Sequence, residues 1–203
     1  MYKGIVIGSH NKGKVREIKD VLSQLDIPVL SLSDVDVSLD VKETGASIGE
    51  NATLKVEAYS RVLSDYIVLS DDSGLEIEAL NGEPGLHVRM WKGYRMEDEE
   101  IINYTLEQLD GVPQDQRGAQ FRSIIALAIP GKEIRLFEGL LRGSILEKPQ
   151  DIRMEGFPFD PLFYCEEWKL TLGEIHQMSK EECRKKNIFT HRERALEKVK
   201  KYI

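Results

Sequence analysis

Apolar and polar positions along this chain fall into alternating strand-like and helix-like blocks. Gly4 to Gly8 is a continuous apolar run that reads as a buried strand. Val15, Ile18, Leu22 and Leu25 then recur at helical spacing, with Asn11 placed to cap the helix. Ser47-Ile48-Gly49-Glu50 has the form of a capping box. The helix it starts is expected to carry Leu54, Ala58 and Val62 on one face, with Lys55 on the flank. Tyr66 to Leu69 is a second buried strand, and Leu75, Ile77 and Ala79 alternate with Glu76 and Glu78 as a half-buried one. Glu97 to Leu109 is a helix with an acidic first turn, where the helix dipole favours negative charge. Phe121 to Ile129 is an apolar strand; Pro130-Gly131 turns the chain, and Ile134 and Leu136 continue as a hairpin partner. Thr190-His191-Arg192-Glu193 is a second capping box, and Ala195, Leu196, Val199 and Ile203 form the stripe of the last helix. Early alternation of strands and helices followed by a hairpin predicts an α/β fold with a mixed central sheet flanked by helices.

Composition narrows the class. A chain of 203 residues, 41% hydrophobic, can bury a real core, and no repeat, low-complexity tract or linker divides it. One domain over 1–203 is expected. No apolar run approaches the roughly 18 residues of a membrane span. The N-terminus enters a strand pattern at once, with no signal-peptide pattern, and Cys165 and Cys183 are too few for a disulfide framework or a four-cysteine zinc site. A reduced, cytoplasmic protein without membrane contact is expected. The net charge of −7 argues against wrapping nucleic acid, whose affinity comes from neutralising many phosphates, but leaves room for a small anion in a basic site.

Two segments carry candidate chemistry. Ser70-Asp71-Asp72-Ser73-Gly74 places two adjacent carboxylates at a strand junction, with a glycine to turn the backbone. Such a pair repels unless a cation or a shared proton relieves it; a solvated turn is the alternative. Gly8 to Lys14 has the spacing of a P-loop, and a loop between strand and helix aims N–H groups at an anion. The next residue, however, is Val15, where a P-loop needs Ser or Thr to hold magnesium.

Several segments together are similar to one family. They are Ser9-His10-Asn11-Lys12-Gly13-Lys14 with Arg16-Glu17, Glu43-Thr44-Gly45, Glu50-Asn51-Ala52 with Leu54-Lys55, and Asp71-Asp72-Ser73-Gly74-Leu75. Leu80-Asn81-Gly82, Pro84-Gly85, Gly156-Phe157-Pro158-Phe159-Asp160-Pro161 and Thr190-His191-Arg192 with Ala195-Leu196 follow in the family's order. The chain resembles the inosine triphosphate pyrophosphatases, which hydrolyse non-canonical purine nucleoside triphosphates to the monophosphate and pyrophosphate. The resemblance implies two lobes with the nucleotide site in the cleft between them, a magnesium cofactor and a homodimer. It implies that Ser9, His10, Asn11, Lys12, Gly13 and Lys14 cradle the triphosphate and that Lys55 neutralises phosphate charge. Glu43 and Asp72 would hold magnesium; Asp72, with Asp71 beside it, is also the candidate for activating water, and either job or both remain open to it. Ser73 would contact the substrate. Phe157 would stack on the purine and Asp160 accept hydrogen bonds from it, with Pro158 and Phe159 in the same loop, while Lys186, His191 and Arg192 close around the keto edge.

The chain departs from the family pattern in places. Pro158 and Phe159 stand where the family commonly has Gly and Tyr, so the loop loses an N–H and a phenol hydroxyl. Lys42-Glu43 replaces an acidic doublet. Leu86 to Trp91 differs from the usual run, and the segment from Met178 to His191, with Lys185 and Lys186, looks about one helical turn longer. Four readings stay open: inosine- and xanthosine-type triphosphates as substrates, the same chemistry with a shifted base preference, a nucleotide binder that has lost turnover, or a P-loop NTPase that releases inorganic phosphate.

Overall fold

Alternate residues of an extended strand face opposite sides of a sheet, and the first strands of this protein use both sides. The computed structural model describes residues 2–203. The chain opens with β1 (Ile5–Ile7), α1 (Lys12–Leu22), β2 (Val29–Ser31), α2 (Ile48–Val62) and β3 (Ile67–Ile77). It continues through β4 (Pro84–Gly85), α3 (Asp98–Gln108), β5 (Gly118–Ala128) and β6 (Arg135–Ile145). β7 (Phe163–Cys165), β8 (Leu170–Thr171), α4 (Leu172–Gln177), α5 (Lys180–Lys185) and α6 (His191–Tyr202) complete it. The sheet is open, with order β2-β1-β3-β5-β6-β7-β8 and β4 on β3. β1 is parallel to β2 and β3, whereas β4, β7 and β8 pair antiparallel, so the sheet is mixed as the alternation predicts. Among the described residues no helix is long and apolar enough to cross a membrane.

The chain divides into two compact units. The first holds the residues up to Ser73, Ser123–Gly139 and His191–Ile203; the second holds Gly74–Arg122 and Leu140–Thr190. In the first unit, Ile5, Ile7, Ile67 and Leu69 pack with Ile18 and Leu22 of α1 and Ala195, Leu196 and Val199 of α6. Val6 and Val68, one residue out of step, pack with Ala52, Val56 and Tyr59 of α2. The second unit has its own core, built on Leu75, Ile77, Ile101, Ile102, Leu141, Phe159 and Phe163.

Local signals explain the helix starts. Asn11 accepts from Lys14 N–H at 3.1 Å, as expected. Ser47 accepts from Glu50 N–H at 3.2 Å, but Glu50 reaches back to Ala46 N–H and not to Ser47, so the box closes one residue early. Glu97 caps α3 in a reciprocal box with Glu100. Gly8 passes too close to its neighbours for any side chain: a Cβ there would meet Ser70 Oγ and lie 2.6 Å from the Tyr59 ring.

Three expectations are corrected. Gly74 does not turn the backbone; β3 runs straight through Ser70–Gly74 to Ile77, and the residues beyond enter a 3-10 turn with Ala79 exposed. The place of β3 inside the sheet, between β1 and β5, overrides the turn propensity of Asp, Ser and Gly. The buried face of α2 is Ala52, Lys55, Val56 and Tyr59, and Val62 is 58% exposed. The helix is rotated so that Lys55 reaches the buried Asp72 carboxylate and the half-exposed Glu43. Ile203 lies past the end of α6 and is exposed, while Leu25 lies past α1.

Gly139 of β6 tests the docking of the last helix. A Cβ there would run into the His191 carbonyl and lie 2.6 Å from Ala195 N, both backbone atoms of α6 that cannot rotate away. Gly139→Ala is expected to cost about 3 kcal/mol, read as a lower urea midpoint at unchanged slope; an unchanged midpoint would mean that α6 shifts freely on the sheet.

Candidate active site

Asp71 and Asp72 are neighbours in β3, so their side chains leave the strand on opposite faces. Each therefore meets different helices. Asp71 shares its face with α1 and α6. Its Oδ2 lies 2.8 Å from Lys14 Nζ and 3.2 Å from Arg192 Nε, and its Oδ1 accepts a hydrogen bond from Ser123 Oγ. The side chain is wholly buried. Burial pushes its carboxyl up, but the charges of Arg192 and Lys14, with the hydrogen bonds of Lys14 and Ser123, outweigh it and hold Asp71 far below the usual carboxylate range.

Arg192 is the centre of this network. Its Nη1 donates to Glu17 Oε2 at 2.5 Å and its Nη2 to Ser73 Oγ at 3.3 Å. Burial lowers its affinity for the proton, yet Asp71 and then Glu17 raise it well beyond the ordinary arginine value. The guanidinium is turned to two buried carboxylates, because a buried charge is tolerated only with partners of opposite sign. His191 precedes it as the first residue of α6 and is buried as well.

Asp72 faces α2. Its Oδ1 accepts from Lys55 Nζ at 3.0 Å, and the same ammonium donates to Glu43 Oε1 at 2.6 Å and to the Asp71 carbonyl at 2.8 Å. Burial raises the Asp72 carboxyl more than Lys55 and Lys14 lower it, and Glu43 adds to the rise. For Lys55, burial acts downward and is outweighed by Asp72, Glu43 and Asp71, so the ammonium is kept charged. The two carboxylates thus differ: Asp71 is a sealed, fully neutralised anion, and Asp72 is a less acidic group beside a half-exposed Glu43 side chain.

The loop between β1 and α1 is folded on itself. Ser9 Oγ accepts from Asn11 N–H at 3.2 Å, and His10 Nε2 donates to the Leu39 carbonyl at 2.9 Å. Lys12 is exposed and Gly13 half-buried at the helix start, where N–H groups and the dipole favour an anion. Lys14 points inward to Asp71, so the loop and the carboxylate pair form one charged cluster in the first unit.

The second unit holds the other expected residues. Gly156 has φ 86° and donates its N–H to Asp98 Oδ2 at 2.8 Å, and Asp98 Oδ1 meets Arg89 at 2.5 Å. The unusual 86–91 segment is thereby tied to the loop that follows. Phe157 is half-buried and Pro158 buried. Phe159 is 3% exposed and packs edge-on to Phe121 in the core of the second unit. Asp160 is 2% exposed and meets His176 Nδ1 at 2.7 Å. Lys186 is exposed at the end of α5.

Sequence reasoning named no role for Glu17, Ser123 or His176. A carboxylate in the apolar stripe of α1, three residues after Lys14, was the signal for Glu17; a serine inside the apolar run of β5 was the signal for Ser123. Nothing local marked His176.

Comparison with known proteins agrees over the whole chain. A family model described as the Ham1 family matches residues 5–202. A Geobacillus kaustophilus protein named dITP/XTP pyrophosphatase is 41% identical over 197 residues, covering 97% of this chain and 92% of the relative. One of the same name from Bacillus subtilis is 35% identical, covering 99% and 97%. The solved structure of the Staphylococcus aureus Ham1 protein superposes with a TM-score of 0.79 at 35% identity, covering 98% of this chain and 96% of that one.

The charge network orders two substitutions. Arg192→Ala leaves Asp71 and Glu17 both buried beside a lost cation and is expected to cost about 3–5 kcal/mol. Glu17→Ala keeps Arg192 against Asp71 and is expected to cost less. Urea midpoints of the two variants decide it; equal costs would mean that Lys14 alone neutralises Asp71.

Proposed function

This chain belongs to the Ham1 family, and from that premise we propose that it hydrolyses non-canonical purine nucleoside triphosphates of the inosine and xanthosine type to the monophosphate and pyrophosphate. The observation that carries the reading is the pair Asp71 and Asp72, split by β3 into one sealed carboxylate and one less acidic carboxylate on Lys55. Full-length relatives named for this activity support it.

Magnesium is the proposed cofactor. Among the described residues no three His, Cys, Asp or Glu side chains are gathered into a metal cage. Magnesium commonly takes one or two carboxylates and completes its shell with water and substrate phosphates. Glu43 and Asp72 offer hard oxygen donors and already share one cation, the Lys55 ammonium. They are the residues that would hold it. When bound, the ion supplies Lewis-acid relief of phosphate charge.

The chain's own residues do the rest. Asp72 accepts the proton of the attacking water: it stands beside the half-exposed Glu43 side chain, whereas Asp71 is sealed between Lys14 and Arg192. Asp71 anchors Lys14 and Arg192 and so fixes the end of the loop that binds phosphate. Lys55 remains an ammonium and offsets charge on the phosphates, while Ser9 to Lys14 bind them through N–H groups and lysines. Phe157 stacks on the base and Asp160 accepts from it. Arg192 supports the carboxylates in this reading and does not read the base.

The test is product analysis on ITP, dITP, XTP, GTP, ATP and dUTP with magnesium, scoring pyrophosphate and phosphate separately. Pyrophosphate released mainly from ITP, dITP and XTP is expected, with a chelator stopping turnover and magnesium restoring it. Asp72→Asn is expected to lower kcat by about 10²–10⁴-fold without loss of fold. Phosphate as the product, or near-normal turnover by that variant, overturns the mechanism.

The reading carries with it a homodimer working in the cytoplasm. Sedimentation at micromolar concentration is expected to give a dimer; monomer alone would remove that part of the proposal.

A further inference from the structure

One contact in the second unit has no part in the roles assigned above. His176, on α4, meets Asp160 Oδ2 through Nδ1 at 2.7 Å, and the same ring stands edge-on to Phe157 with centroids 5.1 Å apart. Three residues earlier on the helix, Gly173 N–H donates to the Asp160 carbonyl at 2.9 Å. Residues three apart share a helix face. One face of α4 therefore grips Asp160 by main chain and by side chain at once. Gly173 permits the approach, since a Cβ there would lie 2.7 Å from Ile152 and 3.1 Å from the Asp160 carbonyl. The helix is itself held at its start by a reciprocal box between Thr171 and Glu174. The His176 and Asp160 side chains are only 14% and 3% exposed, so the pair is a built element of the interior. An ionised carboxylate can only accept, so His176 carries its proton on Nδ1.

We propose that His176 is a positioning residue that sets base specificity, holding the Asp160 carboxylate and the Phe157 ring in the orientation that reads a 6-keto purine. The inference rests on the reading that Phe157 stacks on the base and Asp160 accepts from it. A 6-keto purine presents an N1–H donor where adenine presents a lone pair. A carboxylate fixed in place accepts from the first and repels the second; one free to rotate does so less. Sites built on such hydrogen bonds discriminate because the mismatched buried group goes unpaired. With one oxygen tied to His176, the Asp160 carboxylate has a fixed plane. Phe157 cannot swing toward α4 while the imidazole edge fills that side.

The experiment compares kcat and KM for dITP and dATP in the wild type, His176→Ala and His176→Asn, the last placing an amide N–H near the position of Nδ1. His176→Ala is expected to raise KM for dITP by about tenfold or more with little change in kcat, and to narrow the preference for dITP over dATP by a similar factor. His176→Asn is expected to recover most of both. ¹⁵N spectra of the wild-type imidazoles need no variant: the His176 signals are expected to report Nδ1–H and to move on adding dIMP but not dAMP. Unchanged KM and base preference in His176→Ala, a fall in kcat at unchanged KM, or histidine signals indifferent to dIMP would each overturn the proposal. A wild type that releases pyrophosphate from dITP alongside an unaltered alanine variant removes His176 alone. A wild type that releases it from no triphosphate removes the underlying reading, and this inference with it.

Discussion

Two carboxylates adjacent in sequence cannot both stay ionised and buried unless each has its own cation, and the first unit is arranged around that constraint. β3 solves it with the simplest property of a strand, its two-residue period. Asp71 goes to the face of α1 and α6 and takes Lys14 and Arg192; Asp72 goes to the face of α2 and takes Lys55. The same alternation that sends Leu69 and Val68 into different core clusters sends the two charges apart. Packing and electrostatics obey one register, so a slip of one residue would disorder both.

The cations come from far apart in the chain. Lys14, Lys55 and Arg192 sit on three helices, and the last lies near the C-terminus. The first unit is complete only after the chain has left it at Ser73, returned at Ser123 and returned again at His191. Both returns bring a group to Asp71: Ser123 donates to it and Arg192 pairs with it. The close approach of α6 to Gly139 is part of the same requirement, since a helix held further off would leave Arg192 short of its partners. Glu17 completes the balance on the other side of Arg192.

The second unit uses a different economy of contacts. Its expected base-reading loop is held by neutral geometry and single charges: Asp98 accepts from Gly156 N–H while meeting Arg89, and α4 grips Asp160 from the far end. These contacts join the stretches where the chain departs from its family's usual pattern, at 86–91 and around Pro158. A loop that has lost an N–H to Pro158 is supported instead by partners on α3 and α4. The charged cluster of the first unit is thus built mainly from ion pairs, and the loop around Gly156 from hydrogen bonds with one ion pair behind them.

The sequence by itself determined the longer helices, the mixed α/β class and the family, because periodicity, caps and short motifs are local and survive without a partner; the short elements β2, β4, β7, β8, α4 and α5 carried no such signal. Asn11 as a cap, the acidic start of α3 and the apolar runs of β1 and β5 needed no tertiary information. It also assigned a role to most of the charged residues at the candidate site, Glu17 excepted. Only the tertiary structure decided what each charge faces. Ser70 to Gly74 reads locally as a turn and is the middle of one long strand because β3 lies inside the sheet, between β1 and β5. Lys55 reads as a flank residue and is buried because two carboxylates from elsewhere in the chain draw α2 round to them. Arg192 is legible as a cation, and the fold sets it between Asp71 and Glu17. His176 carries no local signal, and its partner Asp160 is sixteen residues away across two strands. Such pairings are set by the three-dimensional path of the chain, and burial makes them obligatory: once water is excluded, each charge must find its counter-charge wherever the fold has put it.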